Sequence, residues 1–226
     1  MRLLALDTAT ECCSAALLVA DRLLTREVEL ARGHAERILP MIEELLGEGG
    51  VTLRELDAVA FGRGPGSFTG VRLAASVTQG LAFGAGLGVV PVSDLRAVAQ
   101  RAFDDDASVT RAVVCNDARM QEVYWACFER ESNGLAVARS PERVGPPAKV
   151  ELPSTWPGAA GLGRGFAVYP ALKGLAGIAV RAGADRLLPR AAEVARLAAP
   201  DLAAGRLLGP EAAVPIYLRD DVARVP

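Results

Sequence analysis

Histidine, the most common metal ligand and general acid or base in proteins, is almost absent from this chain. His34 is the only histidine among 226 residues. A two-histidine metal site on a helix needs a second histidine four residues on, and that position is Ile38. A metallopeptidase, which needs such a metal or a nucleophile with a base, is therefore only a remote alternative. We predict no bound metal and no catalytic residue.

Cysteine is scarce as well, and its spacing is uninformative. The four cysteines are Cys12, Cys13, Cys115 and Cys127, and none forms a C-x-x-C pair. Neither a metal site nor a disulfide framework is favoured. We expect buried free thiols, as in the reducing cytosol.

Long apolar runs and an excess of basic residues are also missing. Asp7 and Glu11 interrupt the apolar N-terminus, and no stretch approaches the ~20 apolar residues that span a bilayer. The formal net charge of −2 removes the general attraction of a basic protein for nucleic acid. Hydrophobic residues make up 51% of the chain, enough for a substantial core. We expect a soluble, cytoplasmic protein with no membrane contact.

The hydrophobic patterns suggest two halves that echo each other. The first half predicts strands over 2–6, 13–20 and 23–30, a helix over 33–47, a strand over 55–62, a helix over 69–83, a strand over 88–92 and a helix from 93. The first three strands suggest an antiparallel meander, and the fourth should return parallel after a helical crossover.

The second half repeats this order of strands and helices in its hydrophobic pattern, although the residues themselves differ. It predicts strands over 111–118, 122–129 and 135–140, a loop over 141–157, short strands over 158–163 and 176–180, and a helix over about 190–205. We predict an α/β fold with two lobes, 1–105 and 106–226, each a strand-strand-strand-helix-strand unit, with the last helix packing back on the first lobe.

A glycine-rich stretch, "GRGPGSFTG", precedes the helix over 69–83. Its phosphate-loop spacing fails because Val71 and Arg72 stand where Lys and Ser or Thr are needed, and the dinucleotide and nucleophile-elbow spacings fail too. Two interpretations stay open: a tight strand-to-helix turn capped by Ser67 or Thr69, or a binding loop for an anion or a partner chain. The loop residues are Gly64, Pro65, Gly66, Ser67, Phe68, Thr69 and Gly70, followed by Arg72.

The helix after this loop is apolar around most of its circumference, which is typical of a helix covered on both sides. Either the helix over 33–47 covers it, or a partner does, or both helices together form an interface over 33–47 and 69–84. We expect charge insertion at Ala74 or Val77 to abolish pairing without unfolding the chain. The predicted partner-binding residues are His34, Ile38, Met41, Ile42, Leu45, Val71, Ala74, Ala75, Val77, Thr78 and Leu81.

Several stretches together resemble the TsaB (YeaZ) family over nearly the whole chain. They are "LALDTATECCSAALL", "GPGSFTGVRLAAS", "PVSDLRAVA", "DARMQEVYWACF" and "IYLRDDVA". The resemblance implies the duplicated actin/hexokinase/Hsp70-type (ASKHA) fold, in agreement with the echoing halves. It also implies a part in making threonylcarbamoyladenosine at position 37 of tRNAs that read codons beginning with A.

The resemblance further implies a non-catalytic scaffold subunit. Its partners would be the catalytic paralogue TsaD, a second copy of itself when TsaD is absent, and the ATPase TsaE, with tRNA contacted only through the complex. The paralogue's metal-binding H-x-x-x-H would fall within 93–98, which holds no histidine. His34 matches a position that both families share, so we interpret it as a helix-start or interface residue.

A residual nucleotide site is a second hypothesis from the same resemblance. Asp7 and Thr8 stand where actin-like ATPases place their first phosphate turn, and Asp117 ends the equivalent strand of the second half. The alternative function is thus an ATPase or kinase that uses Asp7, or ATP or ADP held at an interface shared with a partner. The other interpretation is that Asp7 and Asp117 only end strands and cap loops.

Overall fold

The computed structural model describes residues 1–154, 156–175 and 177–219. The strands are β1 Arg2–Asp7, β2 Cys12–Val19, β3 Arg22–Glu29, β4 Ala58–Gly62, β5 Gly88–Val92, β6 Arg111–Asp117, β7 Val123–Arg130, β8 Ala136–Ala138, β9 Arg143–Gly145, β10 Ala159–Leu162 and β11 Ile178–Ala179. The α-helices are α1 His34–Gly49, α2 Phe68–Ala85, α3 Asp94–Asp105, α4 Gly165–Val168 and α5 Ala191–Ala203.

The first sheet has the strand order β3-β2-β1-β4-β5. β1, β2 and β3 pair antiparallel, while β4 lies parallel to β1 and β5 parallel to β4. The predicted meander and the parallel return are both confirmed. β1 and β4 are almost wholly buried because helices cover both faces of this sheet, which is why these strands read as continuous apolar runs.

The second sheet has the order β11-β10-β6-β7-β8, with β9 also pairing to β7. It repeats the first sheet's topology, since β10 lies parallel to β6 after an antiparallel β6–β7–β8 meander. The duplicated strand order, in two mixed sheets flanked by helices, confirms the expected two-lobed α/β fold class.

One part of the predicted repeat is wrong. Among the described residues between β8 and β10, no helix matches α1; the short strand β9 and a 3-10 turn over Pro147–Lys149 take its place. Proline cannot donate the backbone hydrogen bond of a helix interior, and this segment carries prolines at 141, 146, 147, 153 and 157. The segment predicted as loop therefore also contains one strand of three residues.

The helices form layers around the first sheet. α3 and α5 share one hydrophobic cluster with residues of both sheets, and α5 packs against β1, β2, β4 and β5, as expected for a last helix that returns to the first lobe. α1 and α2 cover the opposite face of the first sheet and form an outer layer. A third cluster around Trp125, Trp156 and Phe166 lies on the far side of the second sheet. Within the described ranges, no helix is both long and apolar enough to cross a membrane.

Candidate functional site

The glycine-rich loop packs closely on the turn that follows β1. A Cβ on Gly66 would lie 2.6 Å from the backbone oxygen of Ala9, and one on Gly70 would lie 2.0 Å from that of Thr8. Gly64 has a φ of +101°, a left-handed conformation that disfavours other residues. These glycines therefore permit close backbone approach, which is the strand-to-helix turn of the first interpretation.

Hydrogen bonds fix this loop to the β1 turn. The Ser67 hydroxyl accepts from the Gly70 N–H at 3.1 Å, so the predicted cap of α2 is confirmed at Ser67. The Ser67 N–H donates to the Ala9 oxygen at 2.7 Å, and the Thr8 hydroxyl donates to the Gly70 oxygen at 2.7 Å. Thr8, one of the two residues of the hypothesised nucleotide site, makes this contact and also lines the cavity described below.

Most of the predicted partner-binding side chains lie inside the chain's own core. The first sheet buries them against its outer face: Ile38, Met41, Ile42, Leu45, Val71, Ala74, Ala75 and Thr78. These side chains therefore do not form the exposed surface that the sequence predicted, because the apolar face of each helix is turned toward the sheet. Val77 and Leu81 are half-buried at the edge of α2.

A different face of α2 reaches solvent. Phe68 and Phe83 are each 61% exposed, and between them Ser76 and Gly80 are exposed as well. We define the outer stripe of α2 as Thr69, Arg72, Ser76, Gly80 and Phe83. On the neighbouring helix α1, Leu39 is 51% exposed.

The sequence left open whether α1 or a partner chain covers the second side of α2. In the structure, α1 contributes little to that cover. α2 packs chiefly on β4 and on a 3-10 turn over Pro210–Ala212, while α1 packs chiefly on β2. The amide of Gln79 donates to the Pro210 oxygen at 3.4 Å. The outer stripe thus stays open to solvent in the single chain.

His34 begins α1, as predicted, and is half-buried. Its Nε2 lies 2.9 Å from the backbone oxygen of Thr10, so the imidazole ties the start of α1 to the loop between β1 and β2. The described residues contain no group of three or more His, Cys, Asp or Glu side chains that could hold a metal ion.

The cysteines are free and buried, in agreement with the sequence interpretation. Burial raises the pKa of Cys12 to about 12 and that of Cys13 to about 11. Both thiols are therefore neutral and unreactive at physiological pH.

A cavity of about 850 Å³ lies between the two lobes. The loop after β1, the start of α2, the end of β6 and the segment around Tyr217 line it. Three of its arginines are already paired with carboxylates: Arg164 with Glu11 at 3.0 Å, Arg119 with Asp117 at 3.0 Å, and Arg219 with Glu122 at 2.5 Å. The Arg72 guanidinium stacks at the cavity's edge, 3.3 Å from the Phe68 ring centroid and 4.9 Å from that of Tyr217.

Asp7 does not face this cavity. Its side chain is fully buried and lies beside Asp94, at the start of α3. A nucleotide in the cleft would have no access to Asp7, so the hypothesis of an ATPase that uses Asp7 has no geometric support. Asp117 does line the cleft, where it accepts a hydrogen bond from the Tyr169 hydroxyl at 3.0 Å.

The sequence did not indicate two buried polar residues, one in the cleft and one beneath the glycine-rich loop. Asn116 lines the cleft and is buried, with no hydrogen-bond partner for either polar atom of its amide. Asp94 joins Asp7 beneath the glycine-rich loop. Only the polar character of "CND" and "VSD" within apolar surroundings could have marked these positions.

Known proteins share this sequence and architecture. A family model described as "TsaD: tRNA N6-adenosine threonylcarbamoyltransferase" matches residues 28–154. The "tRNA threonylcarbamoyladenosine biosynthesis protein TsaB" of Escherichia coli (strain K12) is 41% identical over 229 residues, which cover 99% of this chain and 96% of that protein. The protein of the same name from Haemophilus influenzae is 54% identical over 132 residues, 58% of this chain and 55% of that protein.

A solved structure agrees over nearly the full length. "YeaZ from Pseudomonas aeruginosa" superposes with a TM-score of 0.88 at 42% identity, covering 96% of this chain and 99% of that one. Sequence and fold thus agree along almost the entire chain. By these similarities, the chain belongs to the TsaB (YeaZ) family of tRNA threonylcarbamoyladenosine biosynthesis proteins.

Proposed function

We propose that this protein is the non-catalytic subunit of a tRNA threonylcarbamoyladenosine-forming complex in the cytoplasm. It pairs with the transferase TsaD and stabilises it, forms a homodimer when TsaD is absent, and works with the ATPase TsaE. It meets tRNA only through the complex. The observation that carries the proposal is the outer stripe of α2, whose small residues Ser76 and Gly80 lie between the exposed Phe83 of the stripe and the exposed Phe68 just before it.

The composition of the stripe supports helix-to-helix pairing. Cβ atoms placed on Gly80 and Gly84 would meet no atom within 4 Å, so a second helix could approach the α2 backbone closely there. Phe83 and Leu39 supply exposed apolar area beside this shallow surface. Aromatic side chains around a close backbone contact are typical of protein interfaces.

The match to the TsaD family model supports the identity of the partner. The matched residues, 28–154, include α1 and α2. Two paralogues that share this outer layer could pair the same face of each chain around a pseudo-twofold axis. The same face would then serve a homodimer, so TsaD and a second copy would compete for it.

The absence of catalysis is supported by how the polar groups are used. Asp7 is buried against Asp94, and the imidazole of His34 contacts the Thr10 backbone. Asp7 does not line the cleft, and His34, which does line it, is held there by its contact with the Thr10 backbone. ATP or ADP at an interface shared with a partner remains part of the proposal.

Charge insertion on the outer stripe tests the proposal. Gly80→Glu or Ser76→Glu should weaken pairing with TsaD and with a second copy by at least ~30-fold, because the bulky new carboxylate would have to be desolvated where the two helices meet. Pairing is measured by sedimentation velocity and by titration with purified TsaD.

Gly174→Glu is the matched control. This exposed glycine lies in the second lobe, and its Cβ would also meet no atom within 4 Å. It should pair like the unaltered protein. Undiminished pairing of both stripe variants would show that the interface lies elsewhere.

A further inference from the structure

Asp7 and Asp94 form a carboxyl pair beneath the glycine-rich loop. Asp7 ends β1, Asp94 begins α3, and both side chains are fully buried. A Cβ on Gly62 would clash with both Asp7 Oδ2 and Asp94 Oδ1, so these oxygens occupy the same space beside β4, where the two carboxyls interact with each other. Among the described groups, neither oxygen has an N–H or O–H donor.

Two ionised carboxylates cannot share a dry site without a cation or a proton between them. A proton on one oxygen satisfies both, because the O–H then donates to the other carboxylate. We propose that Asp7 and Asp94 share one proton at neutral pH, and that this proton fastens the glycine-rich loop to the turn after β1.

The other two oxygens of the pair hold the backbone on each side. Asp94 accepts a hydrogen bond from the Gly64 N–H, and Asp7 Oδ1 accepts from the Ala9 N–H at 3.1 Å. The Ala9 oxygen in turn accepts from the Ser67 N–H. The pair therefore completes a chain of hydrogen bonds that links the end of β1 and the glycine-rich loop to Ser67, the residue that precedes α2.

No charged side chain named near the pair takes the place of the shared proton as a counter-charge to the two carboxylates. His34 on α1 and Arg63 in the loop are the basic side chains whose charges act on it. Arg63 is engaged by Glu142 at 3.0 Å, and His34 by Thr10. Cys12 and Cys13 on β2 stay neutral, as described above. Burial raises the pKa of Asp7, and burial with the neighbouring Asp7 charge raises that of Asp94 well above its usual value.

The sign of the pH dependence follows from this arrangement. The folded chain keeps a proton that the unfolded chain releases above a pH of about 4. The pair therefore stabilises the fold most at low pH, and that contribution declines as the pH rises through the raised pKa of the pair.

Asp94→Asn tests the proposal, because the amide can accept from Gly64 and donate to Asp7 without a titratable proton. Between pH 6 and pH 9 the thermal midpoint of the unaltered protein should fall, relative to this variant, by roughly 3 °C or more. Hydrogen-exchange protection of the Gly64 amide should decline with pH in the unaltered protein only.

Three further variants separate this effect from others. Asp57→Asn changes an exposed carboxylate that accepts from the Arg2 N–H, and it should leave the pH slope intact. His34→Gln removes the nearby imidazole, and the slope should persist. Asp7→Asn repeats the test from the other side if Asp94→Asn does not fold. Parallel stability curves for the unaltered protein and the asparagine variants would overturn the shared proton.

Discussion

Gly66 and Gly70 stand where two backbone segments meet without room for a side chain. The sequence showed that this stretch fails the spacing of each phosphate-binding motif, and it predicted the cap that the structure has at Ser67. It could not show what the glycines pack against, because Thr8 and Ala9 are distant in sequence and carry no complementary pattern. The Asp7–Asp94 pair could not be predicted for the same reason, because only the fold brings the end of β1 and the start of α3 together.

At the residue scale we predict that Gly70→Ala destabilises the fold by about 3 kcal/mol, because its Cβ would collide with the Thr8 oxygen. Gly47→Ala is the control: it is an exposed helical glycine with open space around it, and alanine there should stabilise by about 0.5–1 kcal/mol. Urea unfolding measures both. Equal effects of the two substitutions would refute the close-approach role of Gly70.

Helix α2 illustrates what an apolar pattern predicts at the scale of an element. The predicted range, 69–83, differs from Phe68–Ala85 by only one or two residues at each end. Most of the predicted partner-binding residues of α2 fall on the face that meets the sheet, because the interpretation of the helix as apolar nearly all round passes over Arg72 and Ser76, which mark the side that reaches solvent. The missing counterpart of α1 in the second half has a clearer signal, the five prolines between β8 and β10.

The two faces of α2 should respond differently to charge. Ala74→Glu places a carboxylate in the core of the first sheet, so it should destabilise the fold by on the order of 3 kcal/mol or more. Ser76→Glu, two residues on, should change stability by less than about 0.5 kcal/mol. Chemical unfolding of the two variants distinguishes the faces. A folded, fully stable Ala74→Glu protein would mean that this face of α2 is not packed on the sheet.

At the scale of the whole molecule, the repeat of the two sheets follows from the echo in the sequence. The placement of α3 and α5 between the sheets does not, because helices apolar on two faces can pack in several orders. Contacts across the lobes close this arrangement. The Ser14 hydroxyl on β2 accepts from the Ala191 N–H at the start of α5, and Arg63 pairs with Glu142 in the segment before β9. These contacts leave the outer layer of α1 and α2 as the broad helical face open to another chain.

We propose that this chain is a required, non-catalytic partner of TsaD. The most direct test of this proposal is reconstitution: purified TsaD and TsaE with a threonylcarbamoyl-adenylate donor and unmodified tRNA, assayed for threonylcarbamoyladenosine with and without this protein. We expect modified tRNA only when the protein is present, with Gly174→Glu restoring the reaction and Gly80→Glu failing to restore it. Equal modification in its absence would contradict the claim.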